Sequence, residues 1–511
     1  TFSALLFNFS DPIGVVASFD NDSAFGIELA QKTQIVGHNG STMYGPVYYR
    51  LGSLLRNILI NPYHESQLSK TAQAERSIYF HMMLINLLAV FGAMFFLMWC
   101  LTEVWFFRFL GTVVLVSLSL KDEWRSTLLF MVKPDLLFAA VITIVGFWTL
   151  RWLAQDETQS PGSSRSSLKL MCFGWALAAS TKLSVIFFGP GILSLWLPRW
   201  QSRRAHVLFF LKWLFIFYFL IGFPQNFDVV GYLRYLLRQS AHTSLVTWQF
   251  LETSWGPLLV NDVWRPALGI LSMILWVPLR SVQVFAVPRV TYLRFVIYLL
   301  LSLIFLFSKQ TTDPHEWYAF PFVNQIWLLL VFGVVELSLW VARKNQTWRE
   351  KIQPLRLHAL YPFLLLVVAP FVIHPFPTKT FEIYRTGMAC RVEARVVQQR
   401  IDDFAIAGKR LLVDPYVPAD FELSRRLKTV EGSWEMSWAT VENFRPDVLA
   451  FKAAYYAGFL TNPQALPQMR EFYTAFHNSP ATVQQSNGDT WTRSYSDACG
   501  FSIWEKQVVH R

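Results

Sequence analysis

Long apolar runs separated by short polar loops organise roughly the first three-quarters of this chain. Runs of spanning or near-spanning length lie at about 80–101, 105–120, 134–153, 207–223, 266–280, 293–308, 322–342 and 357–374. Each predicts a helix with an apolar surface, the shorter ones needing a thinner bilayer or a few more residues. The stretch 168–198 reads either as one long span or as two short helices broken at Lys182 and at Gly189-Pro190-Gly191. Charge decides between them. With two helices, loops 151–169, 199–212, 280–294 and 343–358 share a side and carry 15 Lys or Arg, against 6 in 121–133, 223–264 and 308–321. The basic set belongs in the cytoplasm. One span would throw Arg199, Arg203 and Arg204 to the opposite side. About ten spans follow; Ala4 to Val16 is too short and broken, so a further helix ahead of Thr1 is expected, giving eleven.

This topology puts residues 17–78, 121–135, 182, 223–265, 308–321 and everything after 375 outside the cytoplasm. In the first outer loop, 17–78, Leu51, Leu54, Leu55 and Ile58 fall on one helical face, with Tyr48 and Tyr49 as headgroup-level anchors. The outer loop 223–265 repeats the pattern with Tyr232, Leu233, Leu236 and Leu237 among Arg234, Arg238 and Gln239. Both predict interfacial helices that frame entry for a lipid, or that simply pack on the spans.

From about 376 to 511 the pattern becomes that of a soluble domain. A helix is expected over 388–405, buried strands over 409–414 and 447–451, a helix over 466–478 and a closing strand over 500–508, a small α/β layer. The expected fold class is therefore an α-helical polytopic membrane protein, residues 1–375, with an extracytoplasmic C-terminal α/β domain, residues 376–511. Its place is a bacterial inner or plasma membrane, or an endoplasmic reticulum membrane.

Composition agrees: 53% of residues are hydrophobic and 15% charged, where soluble chains carry nearer a quarter. The net charge of +11 lies in the short loops, so it reads as a topology signal and no nucleic-acid partner is expected. Zinc, nucleotide and dinucleotide motifs are absent from the sequence. Cys100 and Cys172 lie in spans; Cys390 and Cys499 bracket the tail, where an oxidising compartment permits them to pair.

Ionisable residues among apolar helices cost roughly 2.5–3.5 kcal/mol each and usually line a working cavity. Asp20, Asp22, Asp135 and Lys182 all fall near the outer face that the charge count selects. Acids and cations there suit a substrate that is half lipid and half polar, such as a lipid-phosphate sugar. A carboxylate, Asp20 or Asp22, takes the acceptor's proton. Lys133, Lys182, Lys309, His315, Arg234, Arg238 and Arg265 form the pool that meets the departing phosphate. Each also has a structural reading: Asp20 and Asp22 as helix caps, Asp135 as a dipole partner, Lys182 as a snorkelling side chain, His315 as a loop residue.

Four segments in order carry a family resemblance. Phe19-Asp-Asn-Asp-Ser-Ala-Phe-Gly26, followed by Tyr44-Gly-Pro-Val-Tyr-Tyr49, resembles the first outer loop of the GT-C glycosyltransferases. These are the polyprenyl-phosphate-sugar enzymes that include protein O-mannosyltransferases and the lipid A aminoarabinose transferase. Lys133-Pro-Asp-Leu-Leu-Phe138 resembles the family's Arg-Pro-Asp-x-Leu, and Gly174-Trp-Ala-Leu-Ala-Ala-Ser-Thr-Lys182 its Gly-Leu-Ala-x-x-Thr-Lys. His315-Glu-Trp-Tyr-Ala-Phe-Pro321 resembles its basic-x-Tyr-x-x-Pro segment. The resemblance covers about 17–340 and implies Asp20 or Asp22 as the catalytic base, the other orienting a sugar or a metal. It implies that Asp135 completes the acidic site. Lys133, Lys182, Lys309 and His315, with Tyr44 and Tyr318 beside them, would contact the phosphate or its sugar. Some members bind a divalent cation (Mg or Mn), for which Asp20 and Asp22 are the candidates; others need none. Two departures matter: Asn21 separates two Asp where many members place Asp-Glu, and Lys133 stands where Arg is usual, without its bidentate fork.

The expected function is inverting transfer of a sugar from a polyprenyl-phosphate donor to an extracytoplasmic protein, glycan or lipid, in contact with membrane lipids. The alternatives are a transporter or flippase, a polysaccharide ligase or polymerase, or a non-catalytic subunit of a membrane assembly.

Overall fold

A computed structural model of the chain describes residues 45–58, 70–101, 105–119, 128–129, 131–158, 161–196, 200–231, 289–308, 320–329, 385, 389–414, 416–419, 427, 429–432, 436–453, 456–457, 460, 467–479 and 481–507. Its helical part comprises α1 (Pro46–Ile58), α2 (Lys70–Leu101), α3 (Trp105–Ser119), α4 (Asp135–Thr158), α5 (Pro161–Thr181), α6 (Gly189–Ser194), α7 (Trp200–Gly222), α8 (Arg289–Ser308) and α9 (Phe320–Leu329). Among the described residues, three helices are long and apolar enough to cross a membrane: Ser77–Cys100, Asp135–Ala154 and Arg204–Gly222. Leu183–Ser194, Leu293–Leu306 and Phe320–Leu329 are apolar but shorter. The expected runs 266–280 and 357–374, the helix around Tyr232 and the boundary near 375 lie outside the described residues.

Helices α2, α4, α7 and α8 are apolar on nearly all sides, so their burial is set by position in the bundle. Within the protein most of Asp135–Ala154 is buried but little of Arg204–Gly222, which makes α4 central and α7 peripheral. The α4–α5 contact is close because Gly174 has no side chain; a Cβ there would stand 2.8 Å from Val145 and 2.7 Å from Trp148. The expected second helix after Lys182 takes another form. Leu183–Phe188 is 3₁₀-helical and α6 adds six residues. Gly189-Pro190 opens α6 instead of breaking it, since Pro is preorganised for a first helical turn.

The first amphipathic helix is present but turned. Tyr48 and Tyr49 are fully buried, whereas Leu54 and Ile58 are 38% and 67% exposed. The tyrosines therefore face the helix core, not the headgroups; the hydroxyl of Tyr48 finds a buried acceptor there, Asn86.

The C-terminal residues build a six-stranded sheet between helices. Its strands are β1 (Leu411–Val413), β2 (Val430–Gly432), β3 (Val448–Lys452), β4 (Thr482–Gln484), β5 (Thr490–Ser496) and β6 (Phe501–Lys506), in the order β2-β1-β3-β6-β5-β4. β1 runs parallel to β2 and β3, and the remaining pairs are antiparallel. Alternation divides the core. Leu411, Val413, Val448 and Ala450 meet α10 (Arg391–Ile406) through Ala394, Val397 and Ile401. Leu412, Leu449, Phe451 and Trp504 meet α11 (Trp438–Phe444) and α12 (Pro467–Asn478) through Val441, Phe472 and Phe476. Burial on both faces explains why β1 and β3 read as continuous apolar runs. A disulfide joins Cys390, at the start of α10, to Cys499, in the turn between β5 and β6, across a separation of 109 residues.

Candidate active site

Pro134 cannot continue a helix ladder and holds the residue before it extended, so the chain turns at Lys133-Pro134 and α4 begins at Asp135. The carboxylate thereby sits in the first turn, where the helix dipole favours it. α5 ends at Thr181, and Lys182, forty-seven residues after Asp135, adopts extended backbone. Lys182 Nζ donates to Asp135 Oδ1 in an ion pair, and both residues are only 4% exposed. Breaking such a pair on one side leaves an uncompensated charge in an apolar bundle. Asp135 Oδ2 is buried and has no hydrogen-bond partner among the described residues, so half of the carboxylate keeps its acceptor capacity. Lys133, two residues earlier, is buried as well, 5% exposed.

The early loop docks on the same place. Gly45 N–H donates to the Thr181 carbonyl at 3.1 Å, immediately before Lys182. A Cβ on Gly45 would stand 1.9 Å from the Ser180 carbonyl oxygen, so only glycine permits this approach. From α1, Arg50 donates to the carbonyls of Ile221 at 2.8 Å and Phe223 at 2.6 Å, covering the open end of α7. Asn226, just beyond, donates to Ser180 Oγ at 2.9 Å and to the Tyr218 carbonyl at 2.7 Å. On the far side of α4, Asn324 of α9 donates to the Ala139 carbonyl at 3.2 Å and to Thr143 Oγ1 at 3.1 Å, starting one turn from Asp135.

The structure thus brings together Asp135 and Lys182, with Lys133 in the same corner and Gly45 of the first motif against Thr181. Asp20, Asp22, Tyr44, Lys309, His315 and Tyr318 lie outside the described residues, as do Arg234, Arg238 and Arg265. Among the described residues no three His, Cys, Asp or Glu side chains gather as a metal site would require. Asp135 itself already faces an ammonium, which does not suit a cation ligand. Sequence reading passed over Asn86, Asn226 and Asn324. Their signal is a carboxamide inside or beside an apolar run, which must find partners when buried.

No protein-family model matches the chain, and no curated protein matches it either. Among solved structures it is similar to ArnT from Cupriavidus metallidurans bound to undecaprenyl phosphate, at 13% identity and a TM-score of 0.47, covering 100% of this chain and 98% of that one. The apo state of the same ArnT gives 13% identity and a TM-score of 0.44, covering 99% and 96%. A TM-score below 0.5 at this identity assigns neither fold nor function.

Proposed function

We propose that this chain is a membrane glycosyltransferase that takes its sugar from a polyprenyl-phosphate donor. The observation that carries the reading is the buried Asp135–Lys182 ion pair, formed between two motif segments, with a third bonded to the neighbouring Thr181 through Gly45. In this reading a hydroxyl of the acceptor attacks the anomeric carbon, and Asp20 or Asp22 receives its proton. The bond from that carbon to the phosphate oxygen breaks with inversion, and the polyprenyl phosphate leaves with the electron pair. Lys182 is the cation prepared for that charge: Asp135 holds it in place until a phosphate competes for the ammonium. Asp135 Oδ2, open on its other side, accepts from a sugar hydroxyl. Lys133, Lys309 and His315 complete the phosphate-facing set. A divalent cation, where one takes part, would be held by Asp20 and Asp22; no step above is routed through it. The site and the C-terminal domain face away from the cytoplasm in this reading, as the loop charges require.

The test is transfer from a lipid-linked sugar by the purified chain in lipid nanodiscs, with Asp20→Asn and Asp22→Asn made singly. One of the two variants is expected to lose transfer. Full activity in both removes the proposed base; no transfer by the purified wild type favours a transporter or a non-catalytic subunit.

A further inference from the structure

Asn86 lies near the middle of α2, fully buried among apolar neighbours. A carboxamide there must find partners, because no water replaces those it lost. Its Nδ2 donates to the carbonyl of Met131 at 2.8 Å and to those of Leu128 and Leu129 at 3.1 and 3.5 Å. Its Oδ1 accepts the Tyr48 hydroxyl at 3.0 Å. Carbonyls only accept, so the partners themselves fix which way the amide points. These carbonyls precede Lys133-Pro134-Asp135, where the backbone leaves helical geometry. Irregular backbone among apolar helices needs such a donor. Tyr48 belongs to the segment that also brings Gly45 onto Thr181. One side chain therefore ties α1 to the approach to Asp135.

We infer that Asn86 is a positioning residue: it sets the separation between α1 and the Lys133–Asp135 corner, and so where Asp135 and Lys182 stand against a bound donor. This rests on the glycosyl-transfer reading. Asn86 touches no reacting group.

The experiment uses the full chain in lipid nanodiscs with a polyprenyl-phosphate sugar. It compares Asn86→Ala, Asn86→Asp, Tyr48→Phe and the Tyr48→Phe/Asn86→Ala double variant. The first readout is the single-turnover rate per bound donor, which a merely structural role does not move. Both Asn86 variants are expected to slow about 10–100-fold, the scale of a roughly 1 Å misplacement. Asn86→Asp should be at least as slow as Asn86→Ala, because its carboxylate oxygen faces three carbonyl oxygens. Tyr48→Phe should slow less, and the double variant no more than Asn86→Ala, since both remove one network. The second readout is hydrogen exchange over 128–135, expected to rise in both Asn86 variants. Rates per bound donor within about twofold of wild type in both overturn the inference. Should neither Asn86 variant accumulate, a wild-type rate in Tyr48→Phe overturns it. A wild type that binds donor but transfers nothing defeats the transfer reading alone; unchanged exchange over 128–135 in Asn86→Ala then defeats the clamp.

Discussion

Two buried carboxylates, each beside a lysine, are used in opposite ways by the two regions of this molecule. In the helical region Asp135 meets Lys182 side chain to side chain, and its second oxygen is left open. In the C-terminal domain Asp414 follows β1 and is wholly buried, yet both its oxygens are taken by backbone. Oδ1 accepts Tyr416 N–H at 2.8 Å and Oδ2 accepts Lys452 N–H. Burial pushes the Asp414 carboxyl up to about 7 and the Lys452 ammonium down to about 8, each partly offset by the other's charge. Asp414 thus staples the ends of β1 and β3. A buried acid with each oxygen bonded to the main chain is architecture; one held by a cation with an oxygen to spare can still receive a ligand.

The sharpest way to break this contrast is to remove one partner of each pair. Asp135→Asn and Lys182→Met should each cut transfer from a lipid-linked sugar by about 100-fold or more, the scale lost when a positioned charge is withdrawn. Each should also destabilise the helical region by about 3–5 kcal/mol through the stranded charge. The double variant Asp135→Leu/Lys182→Met should recover stability without recovering transfer. Asp414→Asn should cost about 1–3 kcal/mol in the C-terminal domain, because one N–H loses its acceptor, and leave transfer nearly intact. Loss of transfer in Asp414→Asn, or its retention in Asp135→Asn, breaks the contrast.

A second test acts on the domain alone. Replacing Cys390 and Cys499 together by Ser opens a loop of 109 residues, worth about 5 kcal/mol in the chain-entropy model. Pulse proteolysis of the full chain in urea should show the C-terminal sheet cleaved at lower denaturant, with the helices unchanged. Equal resistance with and without the disulfide contradicts this.

The smallest effect is on pH dependence, and its sign is fixed by the direction of the two shifts. Between about pH 4 and 7 the folded domain holds the Asp414 proton that the unfolded chain has released, so its stability falls as pH rises. Between about pH 8 and 10.5 the folded domain has lost the Lys452 proton that the unfolded chain keeps, so stability rises with pH. This pair therefore contributes a minimum near pH 7–8, and Asp414→Asn should remove its acidic limb. An acidic limb of unchanged slope in that variant assigns it to other groups.

The two regions were also unequally legible in the sequence. Strands β1 and β3 stood out because they are buried on both faces, and β6 through Phe501, Ile503 and Trp504; β2, β4 and β5 did not. Thr490-Trp-Thr-Arg-Ser-Tyr-Ser496 buries Trp491 and exposes most of its polar positions, so no apolar run marks it. Among the helices, hydropathy found α3, α4 and α8 within about five residues and the end of α7, whose start lies seven residues before the expected one, but it could not show that 183–194 winds as a 3₁₀ turn and a six-residue helix. Asp135 and Lys182 were visible as separate candidates in separate motifs. Their pairing was not, because a separation of 47 residues carries no information about contact. Asn86 left no trace beyond a single carboxamide in an apolar helix; its partners are backbone carbonyls, which every sequence has.

Photo-crosslinking with a polyprenyl-phosphate sugar whose reactive group sits beside the phosphate tests the central assignment most directly. Labelling of the intact chain in nanodiscs should fall on 44–50, 133–135 and 180–182, and should be lost in Lys182→Met. Labels confined to other segments, or a Lys182→Met variant labelled as strongly as wild type, would contradict a phosphate site at the Asp135–Lys182 corner.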